Sequence, residues 1–421
     1  MTRMRVLWFT GVQLPALTGQ GLTRAGWQEG LRQALEAYQP EVELGIAAFG
    51  QQPCQPLVQG NATYFTIPRP APRGRIGRIR AAWRHASYTP AEFDACLALA
   101  QSYAPDLVHF HGSENFFGLI AGKLDVPSVL SLQALVNGYR PFLFSDLGWK
   151  DLLKRAFTRE FLRGGGLLHK ALSWDRYLRV EQAILKACKN YMGRTAWDRA
   201  VLLAFNPQAH YFPCDEVLAD AYYDLEWQPP SGTAPVVYST TSNAYFKGGL
   251  MLAQALAILD RRGWKDVRLH LGGLDACSDL GRSIAEIAAR DHLEGRIAFL
   301  GRLGPDEITR QMLGASAYVL PSHIDNSPNS LCEAMLTGMP CIAANVGGVP
   351  SLVRDGVDGL LYPDRDAFLL ADRIALLLAD RELAARLGAQ ARRTAVERHD
   401  QRKIAARTVE IYRQIISAGK D

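Results

Sequence analysis

At 421 residues, with 48% hydrophobic and 21% charged side chains, the chain is too long for one ordinary core and reads as a soluble α/β protein of two domains, each of about 200 residues. A net charge of +5 is mild for this size and gives no ground for a nucleic-acid partner. The seven cysteines are odd in number and lack Cys-x-x-Cys spacing, so neither a disulfide framework nor a zinc site is indicated and a reduced cytoplasm is expected.

No stretch reaches the roughly 20 apolar residues of a membrane span, and Met1 to Arg5 leads into a strand without a signal-type apolar region, so the protein is expected to stay where it is made. Val6 to Thr10 is that first strand. Gly11 to Leu22 is a loop with Gly19 and Gly21, followed by a helix from Thr23 to about Tyr38 and a strand from Val42 to Phe49. Gly19-Gln20-Gly21 is not a dinucleotide fingerprint, since Arg24 stands where the third glycine would be, and the loop reads equally as a tight turn. Arg69, Arg73, Arg75, Arg78, Arg80 and Arg84 form a basic run, open to a surface-binding role or to a loop broken by Pro68, Pro70, Pro72, Gly74 and Gly77. After a helix over Ala91 to Tyr103, the strand Leu107 to Phe110 ends in His111, Gly112, Ser113 and Glu114, and Ser128 to Leu132 ends in Gln133. Polar residues at such strand ends line the edge where open α/β sheets bind ligands. A functional role is expected for His111 and Glu114. His109 is expected to face the opposite side as a structural histidine.

Between residues 149 and 163 the pattern changes. Trp149, Leu153, Phe157 and Phe161 recur every four residues among Lys150, Lys154, Arg155, Arg159 and Arg163, an amphipathic basic helix. It suits an anionic membrane surface or a lipid-linked acceptor, and equally a helix packed on its domain with the basic side in water. A helix from Arg176 to Lys189, the strand Asn190 to Met192, Gly193-Arg194-Thr195 and a helix from Ala196 to Phe205 follow. The Pro/Gly/Ser-rich stretch Trp227 to Thr233 marks a linker and places the domain boundary at 226/227.

The second half opens with the strand Pro235 to Thr240, then Lys247-Gly248 at the start of a helix that ends near Arg262. Strands and helices alternate to Ala317 to Leu320, a buried strand that Pro321 stops. Asn329 or Ser330 is expected to cap a helix whose Leu331, Ala334 and Met335 face inward, with Glu333 off that stripe, and Gly338 ends it before the strand Met339 to Ala344. The amides of Asn329, Ser330 and Leu331 would then point outward as an anion site. Gly347 and Gly348 would let backbone approach a ligand closely. Asp364-Arg365-Asp366 looks like an acidic metal pair but opens a helix and reads as capping; no metal is expected.

With Lys247-Gly248 ahead of them, Asp325 and Glu333, separated by seven residues before the Ala334-Met335 helix, resemble the donor-site signature of retaining GT-B glycosyltransferases, specifically glycosyltransferase family 4 (group 1). The resemblance covers nearly the whole chain and is specific from Lys247 to Pro350. It implies two Rossmann-like domains facing a central cleft: 1–226 for the acceptor, 227–399 for the nucleotide-sugar donor, and 400–421 as a C-terminal helix packing back on the first. It implies that Glu333 bonds the ribose hydroxyls, that Asp325 meets hydroxyls of the sugar, and that Lys247 pairs with the diphosphate. The Gly19–Gly21 loop is implied near the donor phosphates and acceptor. The chain departs from the pattern at Asp325, one methylene shorter than the usual Glu, at Gln133 in place of a histidine, and at Ser242 in place of an arginine. Either one cation suffices or Arg194 substitutes. The implied function is metal-independent, cofactor-free transfer of a sugar from a UDP- or GDP-sugar to a glycan or lipid-linked acceptor in cell-surface polysaccharide synthesis, in the cytoplasm with peripheral membrane contact through 149–163. Two rivals remain: a nucleotide-sugar epimerase of the same fold, and a nucleotide-sugar-binding protein without turnover.

Overall fold

The computed structural model describes residues 3–12, 26–51, 55–69, 71–72, 74–84, 88–149, 152, 161, 166–232 and 234–419. Gly19, Gly21 and most of 149–163 lie outside them. Two compact units are present. One comprises Met1–Arg140, Leu147–Val217 and Gln401–Asp421, the other Pro141–Asp146 and Leu218–Asp400.

The first unit is built on strands β1 (Met4–Thr10), β2 (Val42–Gly50), β3 (Leu57–Gln59), β4 (Ala62–Pro68), β5 (Leu107–His111), β6 (Ser128–Ser131), β7 (Asn190–Gly193) and β8 (His210–Pro213). Their order is β3-β4-β2-β1-β5-β6-β7-β8, parallel except for the β3–β4 pair. The central strands are apolar because both faces are covered: Val6 to Phe9 are at most 1% exposed. Helix α1 (Gly26–Tyr38) and the terminal helix α2 (Gln401–Ala418) pack together on one face, where Ile404, Val409, Ile411 and Tyr412 join the core of Val6, Trp8, Leu31 and Leu35. Gly74–Arg84, within the basic run, is a helix and not a broken loop; Pro68 and Pro72 precede it, where they cost no helical hydrogen bond.

The second unit carries β9 (Val236–Thr240), β10 (Arg268–Gly272), β11 (Ile297–Gly301), β12 (Ala317–Leu320), β13 (Cys341–Ala344) and β14 (Leu360–Tyr362). The order is β11-β10-β9-β12-β13-β14, all parallel. The loops that leave β9 and β12 therefore turn to opposite sides, and the gap between them is the switch point where doubly wound sheets take ligands. The main segment of this unit begins at Leu218, ahead of the expected boundary at Trp227, because Leu218 and Tyr222 are buried in its core. The Trp227 stretch is not a free linker either. Its amide donates to the Thr337 carbonyl at 2.7 Å and its indole N–H to the Ala315 carbonyl at 2.8 Å.

Candidate functional site

At the switch point of the second unit, Lys247 closes the one-turn helix Tyr245–Lys247 that follows β9. Across the gap, Asp325 lies on the loop that Pro321 starts after β12. The Lys247 Nζ donates to Asp325 Oδ2 at 2.7 Å, and the Ser322 hydroxyl donates to the same oxygen at 3.1 Å. The Asp325 side chain is 9% exposed and the Lys247 side chain 30%. That asymmetry matters chemically. The acid is the more enclosed of the two, while the lysine side chain is partly exposed and long enough to re-aim toward an incoming anion.

Two glycines hold this loop by what they lack. Gly248 has φ +67°, and a Cβ there would stand 1.8 Å from the Pro321 carbonyl oxygen. Gly347 has φ +50°, and its Cβ would stand 2.1 Å from the Asp325 carbonyl oxygen, which also accepts from the Gly348 amide at 2.9 Å. The close approach expected of Gly347 and Gly348 is thus made to the Asp325 backbone. The His323 amide adds a bond to the Phe246 carbonyl at 2.8 Å, so backbone contacts from both neighbouring loops clamp Pro321–Asp325.

Helix α3 (Asn329–Leu336) follows. Its N-cap is Pro328, without a side-chain cap, and not Asn329 or Ser330. Ser330 Oγ instead accepts from the Tyr318 hydroxyl at 2.7 Å, and the Leu331 amide turns back to the Pro328 carbonyl at 3.0 Å, so it is not offered to an anion. Leu331, Ala334 and Met335 are buried. Glu333 is half-buried and hydrogen-bonded with Tyr222, whose hydroxyl is pushed up by burial and then by this carboxylate. Ser242, where a second cation was looked for, accepts from the Ala244 amide at 3.4 Å.

In the first unit the corresponding strand ends bring together His111, Glu114, Gln133 and Arg194. His109 and His111 lie two apart on β5 and so share a face, with rings stacked at 4.0 Å; the expectation of opposite sides was wrong by parity. His109 is structural, bonded to the Tyr412 hydroxyl at 2.6 Å and to Ser131 Oγ at 2.7 Å. His111 packs against Trp8 at 4.5 Å and Trp27 at 5.3 Å. Neither of its ring nitrogens has a hydrogen-bond partner among the described residues. Burial, then His109 and Arg194, hold it well below its ordinary pKa, as a neutral ring. Glu114 accepts from the Ala134 amide at 2.9 Å, yet removal from water pushes its carboxyl up to about 7. The Arg194 guanidinium is engaged within the first unit. It is committed to a buried pair with Glu216 at 2.8 Å and lies 4.6 Å over the Trp27 ring.

Sequence reasoning missed Glu181 and His323. Glu181 is fully buried and accepts from Ser113 Oγ, the Val136 amide, and the amide and side chain of Asn137 at 2.6 to 2.8 Å. It fixes the loops that carry Glu114 and Gln133, and a Glu inside a helix gives no sequence signal for that. The ring of His323 lies between Asp146 and Asp364. Of the acidic pair, Asp366 does cap its helix, accepting from the Leu369 amide at 2.8 Å, whereas Asp364 belongs to His323.

Residues 228–394 match the family of glycosyl transferases group 1. N-acetyl-alpha-D-glucosaminyl L-malate synthase of Bacillus anthracis is 30% identical over 33% of this chain and 36% of its own length. D-inositol 3-phosphate glycosyltransferase of Streptomyces bingchenggensis is 36% identical over 30% of this chain and 28% of its own length. The chain therefore aligns with about a third of the length of these curated relatives. Over nearly the whole chain, sucrose-phosphate synthase of Thermosynechococcus elongatus superposes with TM-score 0.74 at 19% identity, covering 99% of this chain and 100% of that one. HepE of Anabaena, solved in complex with UDP-glucose, superposes with TM-score 0.65 at 17% identity, covering 97% and 100%. These likenesses establish the GT-B fold.

Proposed function

We propose that this chain, whose residues 228–394 are a group 1 glycosyl transferase domain within a GT-B fold, moves a sugar from a nucleotide diphosphate sugar to an acceptor hydroxyl with the anomeric configuration retained. The observation that carries the reading is the Lys247–Asp325 pair, 2.7 Å apart at the switch point of a doubly wound sheet. It sets a re-aimable cation beside a fixed acid, one suited to a diphosphate and the other to sugar hydroxyls. A UDP-sugar is the first donor to consider, since the HepE structure holds UDP-glucose.

In the proposed step, the bond between the anomeric carbon and the diphosphate oxygen breaks, and its electron pair leaves with the diphosphate. The acceptor oxygen bonds to the same carbon from the same face, and its proton passes to the departing phosphate. Lys247 swings from Asp325 to the leaving diphosphate and stabilises the charge that develops there, so the assignment needs no metal ion. Asp325, kept in place by Ser322, orients the sugar. Glu333 takes the ribose hydroxyls. On the acceptor side, His111, Glu114 and Gln133 sit at the strand ends of the first unit. A glycan or lipid-linked acceptor at the inner face of the cytoplasmic membrane fits the exposed Trp149 and the exposed Ile76 between Arg75 and Arg78.

Thermal melting with UDP, GDP and ADP tests the donor site. At 100 times its dissociation constant a ligand stabilises the fold by roughly 2.7 kcal/mol, and Glu333→Ala is expected to abolish that shift. A folded protein that none of the three nucleotides stabilises would remove the donor assignment.

A further inference from the structure

We infer that His323 is a positioning residue, held as an imidazolium between Asp146 and Asp364, and that this charge keeps the Pro321–Asp325 loop in the shape that presents Asp325 and Lys247 to a donor. The inference rests on the donor-site reading above. His323 Nδ1 lies 2.5 Å from Asp364 Oδ1 and Nε2 lies 2.8 Å from Asp146 Oδ2. An ionised carboxylate only accepts, and a neutral imidazole has one N–H, so both contacts require both nitrogens to donate. A proton held on either carboxyl instead would leave the ring neutral, which the test below reads directly.

The surroundings favour the charged ring. The side chain is fully buried. Asp146 faces it from the segment Pro141–Asp146, and Asp364 from the turn after β14. Arg365 on that turn is 3.5 Å from Asp364 and donates to Ser145 at 3.2 Å, so it offsets part of one acid. The Tyr362 hydroxyl on β14 is buried without a hydrogen-bond partner among the described residues. On the histidine's own loop, Asp325 is already engaged by Ser322 and, from the turn after β9, by Lys247. Burial alone would lower the pKa of the ring, but the two carboxylates outweigh it and raise it above 6.5.

His323 is two residues from Asp325, and its amide ties Phe246, the neighbour of Lys247, to the same loop. Loss of the proton forces one carboxylate to face a bare nitrogen lone pair, and that contact opens. Because the folded pKa is raised, the stabilisation is complete below about 6.5 and is lost as pH rises through the folded value.

Asp146→Asn separates this from a merely structural role, because the amide can donate to a neutral ring and removes the need for the second proton. In wild-type protein with labelled histidines, assigned with His323→Gln, long-range nitrogen–proton spectra at about pH 6.5 are expected to show both ring nitrogens protonated. Wild-type UDP affinity is expected to fall at least roughly fivefold between about pH 6.5 and 9, while Asp146→Asn holds its affinity. A neutral ring at the acid end, or coincident pH profiles for the two proteins, overturns the inference. If neither protein binds UDP, GDP or ADP at any pH, the donor reading falls and the positioning role with it, while the spectra still decide the charge of the ring.

Discussion

Removing the Lys247 amine by Lys247→Ala tests the site asymmetrically. Its partner Asp325 is 9% exposed, and the Ser322 hydroxyl still donates to the same oxygen. Breaking a buried pair costs about 3–5 kcal/mol and an exposed one about 0–1. With the lysine side chain 30% exposed, a loss of about 1–3 kcal/mol is expected, or roughly 2–12 °C in melting temperature. The opposite change, Asp325→Asn, leaves an amine that can turn into solvent, so its stability cost is expected below about 1 kcal/mol. Nucleotide affinity should divide the two variants further. Loss of a charge-assisted bond of about 1.5–3 kcal/mol weakens UDP binding roughly 10- to 150-fold in Lys247→Ala. Asp325→Asn should bind UDP as well as wild type or better, because no carboxylate competes for the amine, while losing sugar transfer. Titration calorimetry with UDP and thermal melts of both variants measure this. Equal weakening of UDP binding in the two variants, or unchanged binding in Lys247→Ala, would refute the idea that the amine exchanges one anion for another.

Two further outcomes follow from the first unit. Arg194→Ala removes the ion-pair partner of Glu216, an acid only 1% exposed, and thermal or urea denaturation should register a loss of about 3–5 kcal/mol. Glu114 titrates near 7 in the fold against an ordinary 4.5, so the native state holds the extra proton across that interval and stability falls as pH rises through it. Melting temperatures of Glu114→Gln followed from acid to neutral pH should lack that decline, and identical slopes in variant and wild type would show that the carboxyl does not titrate there.

The Lys247–Asp325 contact was legible because its determinants are local: Lys247 closes the turn after β9, and Asp325 lies on the loop after β12. What failed was of two kinds. Some errors were of local geometry. His109 was set on the wrong face although residues two apart on a strand share one, and Asn329 was given a cap that Pro328 occupies because its backbone already turns there. Others were invisible in principle. Asp146 meets His323 across 177 positions, and Glu181 gathers donors from Ser113, Val136 and Asn137 that no helical periodicity reveals. Arg194 illustrates the same limit, since only the fold shows that Glu216 has already claimed its charge.

The central claim is retaining transfer from a nucleotide sugar, and the most direct measurement is real-time NMR of a panel of UDP-, GDP- and ADP-sugars incubated with the protein, water serving as the acceptor. The account predicts slow release of nucleoside diphosphate from one of them, with the first sugar anomer formed carrying the configuration it had in the donor. Release of the opposite anomer, or no cleavage of any donor by protein that binds the nucleotide, would contradict it.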